Sequence, residues 1–191
     1  MNTILILKKK KCLDIRIGNG DNLLEFKRRG ASIYGIDFRN NLLKKFTKFN
    51  RLPKKNFYNC DLNEGFPNIK YKFNLCLMKD TLYYLSPEMQ MSLFYNVKKI
   101  LKKNGYFLFQ YIQTEFIKKN QNLFSYNFFQ KSKKLKSFHD EKNPLVFISK
   151  YDIIKLIKEN NFNIVDSLFD INTHKKDKHI ITVNRYFLLK K

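Results

Sequence analysis

The sequence predicts an α/β fold, a largely parallel sheet with helices packed against it and an antiparallel hairpin near the C-terminal end. Three observations predict it. Up to about residue 110, short apolar runs alternate with stretches of helical period, the pattern of repeated strand–helix units. The run Phe73–Met78 (FNLCLM) is almost unbroken in apolar character, as expected of a strand covered on both faces. Phe162–Phe169 and His179–Leu188 are two strand-like runs with the charged turn Lys175–Lys178 between them, the layout of a hairpin.

Taken in order, Ile4–Leu7 reads as a short strand or a turn packed on the sheet edge, and Lys11–Ile15 as the first core strand. Asn22–Arg29 carries Leu23, Leu24 and Phe26 among charges, as a surface helix does, and Gly30 closes it. Ile33–Ile36 is the second strand. Asn41–Phe49 is a helix expected to present Leu42, Leu43, Phe46 and Phe49 on one face, stopped by Pro53. Asn56–Cys60 is a third short strand, and Gly65 and Pro67 mark a loop. Ser86-Pro87-Glu88 opens a helix with proline at its first position; the helix is expected to reach Lys103 and to end at Asn104-Gly105. Tyr106–Phe109 is the fifth strand. Ser149 caps a last helix running to Asn160, with Asp152 as the acid of a capping box.

The length, 191 residues, suits one domain with one filled core. Hydrophobic residues make up 43%, which excludes a disordered chain. No run is both long and apolar enough to span a bilayer, and Met1–Lys11 lacks the pattern of a signal peptide, so a cytoplasmic location is expected. Cys12, Cys60 and Cys76 lie in predicted strands without metal-ligand spacing and read as reduced core residues. The net charge is +22, from 38 Lys and Arg against 16 Asp and Glu. That charge can steer the chain toward nucleic acid, an anionic membrane or an acidic substrate, and any nucleic-acid binding is expected to be weak and non-specific. Lysines scattered through an Ile-, Phe- and Asn-rich sequence are equally the mark of compositional bias. Lys8–Lys11 and Lys131–Lys136 are the densest runs, and no basic helix stands out.

Function is concentrated at Cys12–Gly20 (CLDIRIGNG), where a strand runs into a turn with two glycines and then a helix. Such a turn brings a ligand against bare backbone at a helix N-terminus. Asp37 ends the second strand 17 residues after Gly20. A carboxylate there either accepts hydrogen bonds from ribose hydroxyls or is a solvated strand-end acid.

The segments Leu13–Gly20, Tyr34–Phe38, Asn59–Leu62, Phe73–Leu85 and Ile100–Gln110 together resemble the class I S-adenosylmethionine-dependent methyltransferases, in that family's order and spacing. Asp61–Pro67 (DLNEGFP) also resembles small methyltransferase-like proteins associated with methionine biosynthesis. The resemblance implies a Rossmann-like seven-stranded sheet with helices on both faces and a seventh strand inserted between the fifth and sixth. It implies S-adenosyl-L-methionine as cofactor. Asp14, Gly18 and Gly20 would lie beside the amino-acid and ribose parts, Asp37 would hold the ribose, and Asp61 and Leu62 would border the adenine. Lys79 and Asp80, followed by Tyr83 and Tyr84, would face the methionyl end or the acceptor.

The sequence departs from the family at Arg16, where glycine is common, at Ile17, where a small residue is, and at Asn74, often Asp. An unpaired guanidinium at Arg16 is costly to bury. The expectation is that it pairs with a carboxylate, such as Asp14 or Asp80, or with a ligand, and leaves the pocket open; the alternative is an occluded pocket.

Thr114–Pro144 interleaves phenylalanines and lysines without a sustained period and reads either as a substrate lid, at about 114–148, or as a connector. His139 within it is a candidate base or a surface residue. The three histidines have no metal-ligand spacing. The function implied is methylation of a small metabolite or saccharide intermediate. An RNA methyltransferase and a non-catalytic partner protein that keeps the fold are the alternatives, and the oligomeric state is open to a homodimer.

Overall fold

The computed structural model describes residues 7–112, 149–173 and 181–191. The strands are β1 Lys11–Ile15, β2 Ser32–Asp37, β3 Phe57–Asn59, β4 Phe73–Met78, β5 Leu101–Ile112, β6 Asn163–Thr173 and β7 Ile181–Lys190. The helices are α1 Asp21–Arg28, α2 Asn40–Phe49, α3 Pro87–Ile100 and α4 Lys150–Glu159, with single 3₁₀ turns at Lys54–Asn56 and Leu82–Tyr84.

The sheet has the order β3-β2-β1-β4-β5-β7-β6. Neighbours are parallel from β3 through β5, and β7 is antiparallel to both β5 and β6. This is the Rossmann-like arrangement with the inserted last strand. Strand order reverses between β1 and β4, so ligands are expected beyond the carboxyl ends of these strands.

Alternation along each strand sends side chains to two covered faces. Leu13, Ile15, Ile36, Cys76, Met78, Phe107 and Phe109 join Leu93, Phe94 and Val97 of α3 and Ile153, Leu156 and Ile157 of α4 in the main core. Phe94 sits edge-on to Phe107 and Phe109, with centroids 5.4 and 5.1 Å away, the favoured geometry for aromatic pairs. Ile33 packs with Leu23 of α1 and Leu43 and Phe46 of α2 in a second cluster. Leu7, Cys12 and Leu75 form a third.

Local signals set the helix starts. Ser86 Oγ accepts from the Met89 amide at 3.3 Å with Pro87 behind it, and Ser149 Oγ accepts from the Asp152 amide at 3.1 Å. Each such cap is worth about 1 kcal/mol.

Several boundaries differ from expectation. Helix α3 stops at Ile100, because Leu101 is already extended (φ −71°, ψ 142°) and pairs with Phe73. Asn104-Gly105 therefore interrupts a strand: pairing resumes at Leu75 with Tyr106, and Asn104 takes φ 61° in the intervening bulge. Strand β3 is only three residues long, since Lys54–Asn56 forms a 3₁₀ turn. Phe49, expected on the buried face of α2, is 89% exposed. Thr47 is buried in its stead, its hydroxyl donating to the Leu43 carbonyl at 2.9 Å. Asn74 is structural, its Oδ1 accepting from the Lys11 amide at 3.0 Å. The three cysteines are free, Cys12 and Cys76 buried and Cys60 partly so, just beyond β3. Ile4, Leu5 and Ile6 lie outside the described residues, as do the candidate lid, His139, His174 and His179.

Candidate cofactor site

The turn after β1 is held open by its backbone. The Arg16 and Ile17 amides both donate to the Ile36 carbonyl, at 2.8 and 3.1 Å, and the Gly20 amide donates to the Ile17 carbonyl at 2.8 Å. Gly20 has φ 84° and lies against Phe46: a Cβ there would be 2.1 Å from the ring. Glycine is required at that position for both reasons. The Gly18 amide points to the end of β2, donating to Asp37 Oδ2 at 3.2 Å.

Asp37 is 1% exposed and heavily engaged. Besides Gly18, it accepts from the Arg39 amide and Nε on Oδ1, at 2.9 and 3.0 Å, and from Arg39 Nη2 on Oδ2, at 3.2 Å. Beside it opens a cavity of about 110 Å³. Ile36, Asp37 and Phe38 line it from β2, Cys60, Asp61, Leu62 and Asn63 from the end of β3, and Thr81, Tyr84 and Leu85 from beyond β4. Asn63 ties two of these walls together. Its amide donates to Asp61 Oδ1 at 2.9 Å, and its side chain donates to the Tyr84 carbonyl at 3.2 Å.

Arg16 forms the remaining wall. It lies on neither of the two protein carboxylates that the sequence offered, Asp14 and Asp80. Its Nη1 donates to the Asp80 main-chain carbonyl at 2.8 Å, and its guanidinium stacks 3.9 Å from the Tyr84 ring centroid. A positive φ of 69° at Arg16 aims the side chain across the strand ends, and a carbonyl with an aromatic face satisfies the cation as a carboxylate would. The cavity is smaller than the roughly 300–1,000 Å³ of ordinary small-molecule sites. Arg16 and Tyr84, stacked on each other, are both part of its lining.

Of the residues singled out by sequence, Arg16, Asp37, Asp61, Leu62 and Tyr84 line this cavity, and Gly18 touches it through Asp37. Gly20 shapes the turn from behind. Asp80 has φ 49° and is pinned by its amide to Gln110 Oε1 at 3.0 Å, while the Lys79 carbonyl accepts from the Thr81 hydroxyl at 2.8 Å. The Lys79 and Asp80 side chains are exposed. Tyr83 packs on Tyr84 with centroids 4.6 Å apart. Burial, with Asp80 and Tyr84 nearby, raises the Tyr83 pKa well above the ordinary phenol range, so it is a hydrogen-bond donor and not a base at neutral pH.

Asp14 lies beneath the turn at 2% exposure, and its Oδ2 has no hydrogen-bond partner. Burial pushes its pKa up to about 8; the neighbouring Asp37 adds to this, while the Asn22 side chain and Lys79 oppose it. Sequence reasoning missed Phe38, Cys60, Asn63, Thr81, Leu85 and Arg39. The one signal available was position, since all adjoin a strand end already marked.

The residues fit an adenosyl cofactor in kind. A buried carboxylate, Asp37, stands at the end of β2, Ile36 and Leu62 give the cavity apolar walls, and Asp14, which burial keeps largely protonated at neutral pH, leaves an unpartnered oxygen beneath the turn. In size, the fit requires the Arg16 and Arg39 side chains to move.

Comparison with known proteins agrees with the fold and the motifs. The family model described as a methyltransferase domain matches residues 6–182, so the chain belongs to that family. The matched family is broader than the methionine-biosynthesis group that Asp61–Pro67 resembles. Among solved structures, a SAM-dependent methyltransferase from Methanosarcina mazei superposes with TM-score 0.71 at 14% identity, covering 96% of this chain and 93% of that one. The 1,6-didemethyltoxoflavin-N1-methyltransferase of Burkholderia thailandensis, with S-adenosylhomocysteine bound, gives 0.65 at 14% identity, covering 96% and 72%. The magnesium protoporphyrin IX methyltransferase of Synechocystis, with S-adenosylmethionine bound, gives 0.63 at 12% identity, covering 97% and 71%. No curated protein matches. No helix among the described residues is long and apolar enough to cross a membrane, and no metal-binding cluster occurs among them.

Proposed function

We propose that this protein is an S-adenosylmethionine-dependent methyltransferase acting on a small metabolite or saccharide intermediate, in the cytoplasm. The observation that carries the cofactor reading is the convergence of Asp37, Asp61 and the Arg16–Gly20 turn on one cavity at the carboxyl edge of the sheet. The small-molecule reading is supported by the bound toxoflavin precursor and the porphyrin substrate named for two structural relatives. The three free cysteines support a reducing compartment.

S-adenosylmethionine supplies an already activated methyl group, so the protein's work is alignment and exclusion of water. In this proposal Asp37 orients the ribose through its carboxylate. Asp61 and Leu62 border the adenine, and Asn63 fixes the loop that carries them. The strand-end residues Lys79 and Asp80 set the polarity at the methionyl end, and Asp14, kept protonated by burial, serves as a hydrogen-bonding group beneath the turn. Tyr83, held neutral, donates a hydrogen bond toward the acceptor side.

Calorimetry with S-adenosylmethionine and S-adenosylhomocysteine tests the proposal. Binding of either is expected, and Asp37→Ala should weaken it by about 1.5–3 kcal/mol, the usual worth of a hydrogen bond to a charged acceptor. No heat from either ligand at millimolar concentration would overturn the assignment.

A further inference from the structure

We infer that the face of α2 next to the candidate site is a docking groove for single-stranded nucleic acid. Between Phe38 and Cys60 the sequence holds seven cations, namely Arg39, Lys44, Lys45, Lys48, Arg51, Lys54 and Lys55, and no Asp or Glu. Sequence alone spreads these over a helix, a turn and a strand. The fold gathers four of them. Lys44 and Lys48 lie one turn apart on α2; Arg51, just past the end of the helix, and Lys54 on the 3₁₀ turn continue the series.

These four line a single groove of about 750 Å³ between α2 and β3. All four are exposed, and none is ion-paired among the described residues. Lys44 to Lys48 spans about 6 Å along the helix, roughly two phosphates of a stacked strand.

The groove also points somewhere. Its ends include Asn40 and Asn59. Asn59 Nδ2 donates to the Asp37 and Phe38 carbonyls at 3.0 and 2.8 Å, so the groove abuts the strand ends that line the candidate cofactor cavity.

An exposed aromatic distinguishes the single strand from the duplex. Phe49 stands 89% exposed at the end of α2, adjoining Lys45 and Lys48. Unpaired bases stack on such rings beside a basic track, whereas paired bases are inaccessible to them. Compositional bias explains lysines in general. It does not explain four cations lining one groove, with an exposed phenylalanine on the neighbouring face of α2 that shares Lys48 with it.

The inference is independent of the methyltransferase reading, and binding is measured without cofactor. Fluorescence anisotropy of a labelled 12-nucleotide oligouridine, titrated with the whole protein across a salt series, provides the readout. Replacing Lys44, Lys48, Arg51 and Lys54 with alanine should weaken binding at least tenfold and reduce the salt slope by about 3, as loss of four phosphate contacts requires. A charge-matched control, alanine at Lys102, Lys103, Lys155 and Lys158, should change affinity less than twofold. Phe49→Ala should weaken binding about fivefold and leave the salt slope unchanged. If the control weakens binding as much as the groove set, diffuse net charge is responsible and the groove is overturned. If Phe49→Ala has no effect, or a duplex binds as tightly as the single strand, the single-strand assignment is overturned. Equal use of the four residues on phosphatidylserine vesicles, with no oligonucleotide binding, would overturn it in favour of a membrane surface.

Discussion

Arg39 occupies the Asp37 carboxylate on both of its oxygens, with its amide and Nε on Oδ1 and Nη2 on Oδ2. With the Gly18 amide added, all four acceptor directions of the carboxylate are in use. Ribose hydroxyls can therefore reach Asp37 only by displacing the Arg39 guanidinium. That side chain is 43% exposed while the Asp37 side chain is fully buried, so water screens the cation's side of the pair and the guanidinium can swing into solvent.

Arg39→Ala should consequently raise affinity for S-adenosylhomocysteine about two- to fivefold, within the energy of one screened pair. Calorimetry measures it. A tenfold loss would instead mean that the guanidinium itself holds the ligand.

Arg16→Gly should also raise affinity, about three- to tenfold, because the guanidinium over Tyr84 lies across the cavity. The fold should tolerate the change. The left-handed φ of 69° costs a bulky residue roughly 1 kcal/mol that glycine does not incur, which offsets the lost bond to the Asp80 carbonyl. Weaker binding in this variant would restore the expectation drawn from sequence, that Arg16 meets a ligand carboxylate.

Asp14 gives a pH dependence of defined sign. Its pKa is raised by burial from the usual carboxyl value near 4 to about 8. Between those values the folded state keeps a proton that the unfolded state has lost, so this residue's contribution to stability falls as pH rises from about 4 to about 8. The size is on the order of a few kcal/mol. Asp14→Asn removes the titration. Denaturant midpoints across that range should decline less steeply in the variant than in the parent, and parallel curves would show that Asp14 is ionised in the folded protein.

Gly20→Ala should destabilise the fold by about 2–4 kcal/mol, combining a left-handed backbone with overpacking against Phe46. Adding Phe46→Leu removes the ring and should return part of that loss, a coupling that a double-mutant cycle by thermal melting would reveal. Strict additivity would place the whole cost in the backbone.

The sheet and its helices were legible in the chain before it folded. Apolar runs of two distinct periods, glycine at the β1 turn, and Ser–Pro and Ser–Asp helix starts are local signals that act over a few residues. They placed β1, β2, β4 and the four helices of the described residues within a few residues of where they lie. The strand-end positions Asp37 and Asp61 were legible for the same reason, since each follows its strand directly. Whatever depends on a neighbour distant in sequence was settled by folding. Pairing with Phe73 turned Leu101 into strand and made a bulge of Asn104-Gly105. Packing rotated Thr47 inward and left Phe49 in water. Arg16 found the Asp80 carbonyl 64 positions away, and Lys44, Lys48, Arg51 and Lys54 came to line one groove only once α2 and β3 had folded side by side. Periodicity carries the direction of a side chain along its own element; which group waits at the far end is a property of the folded chain alone.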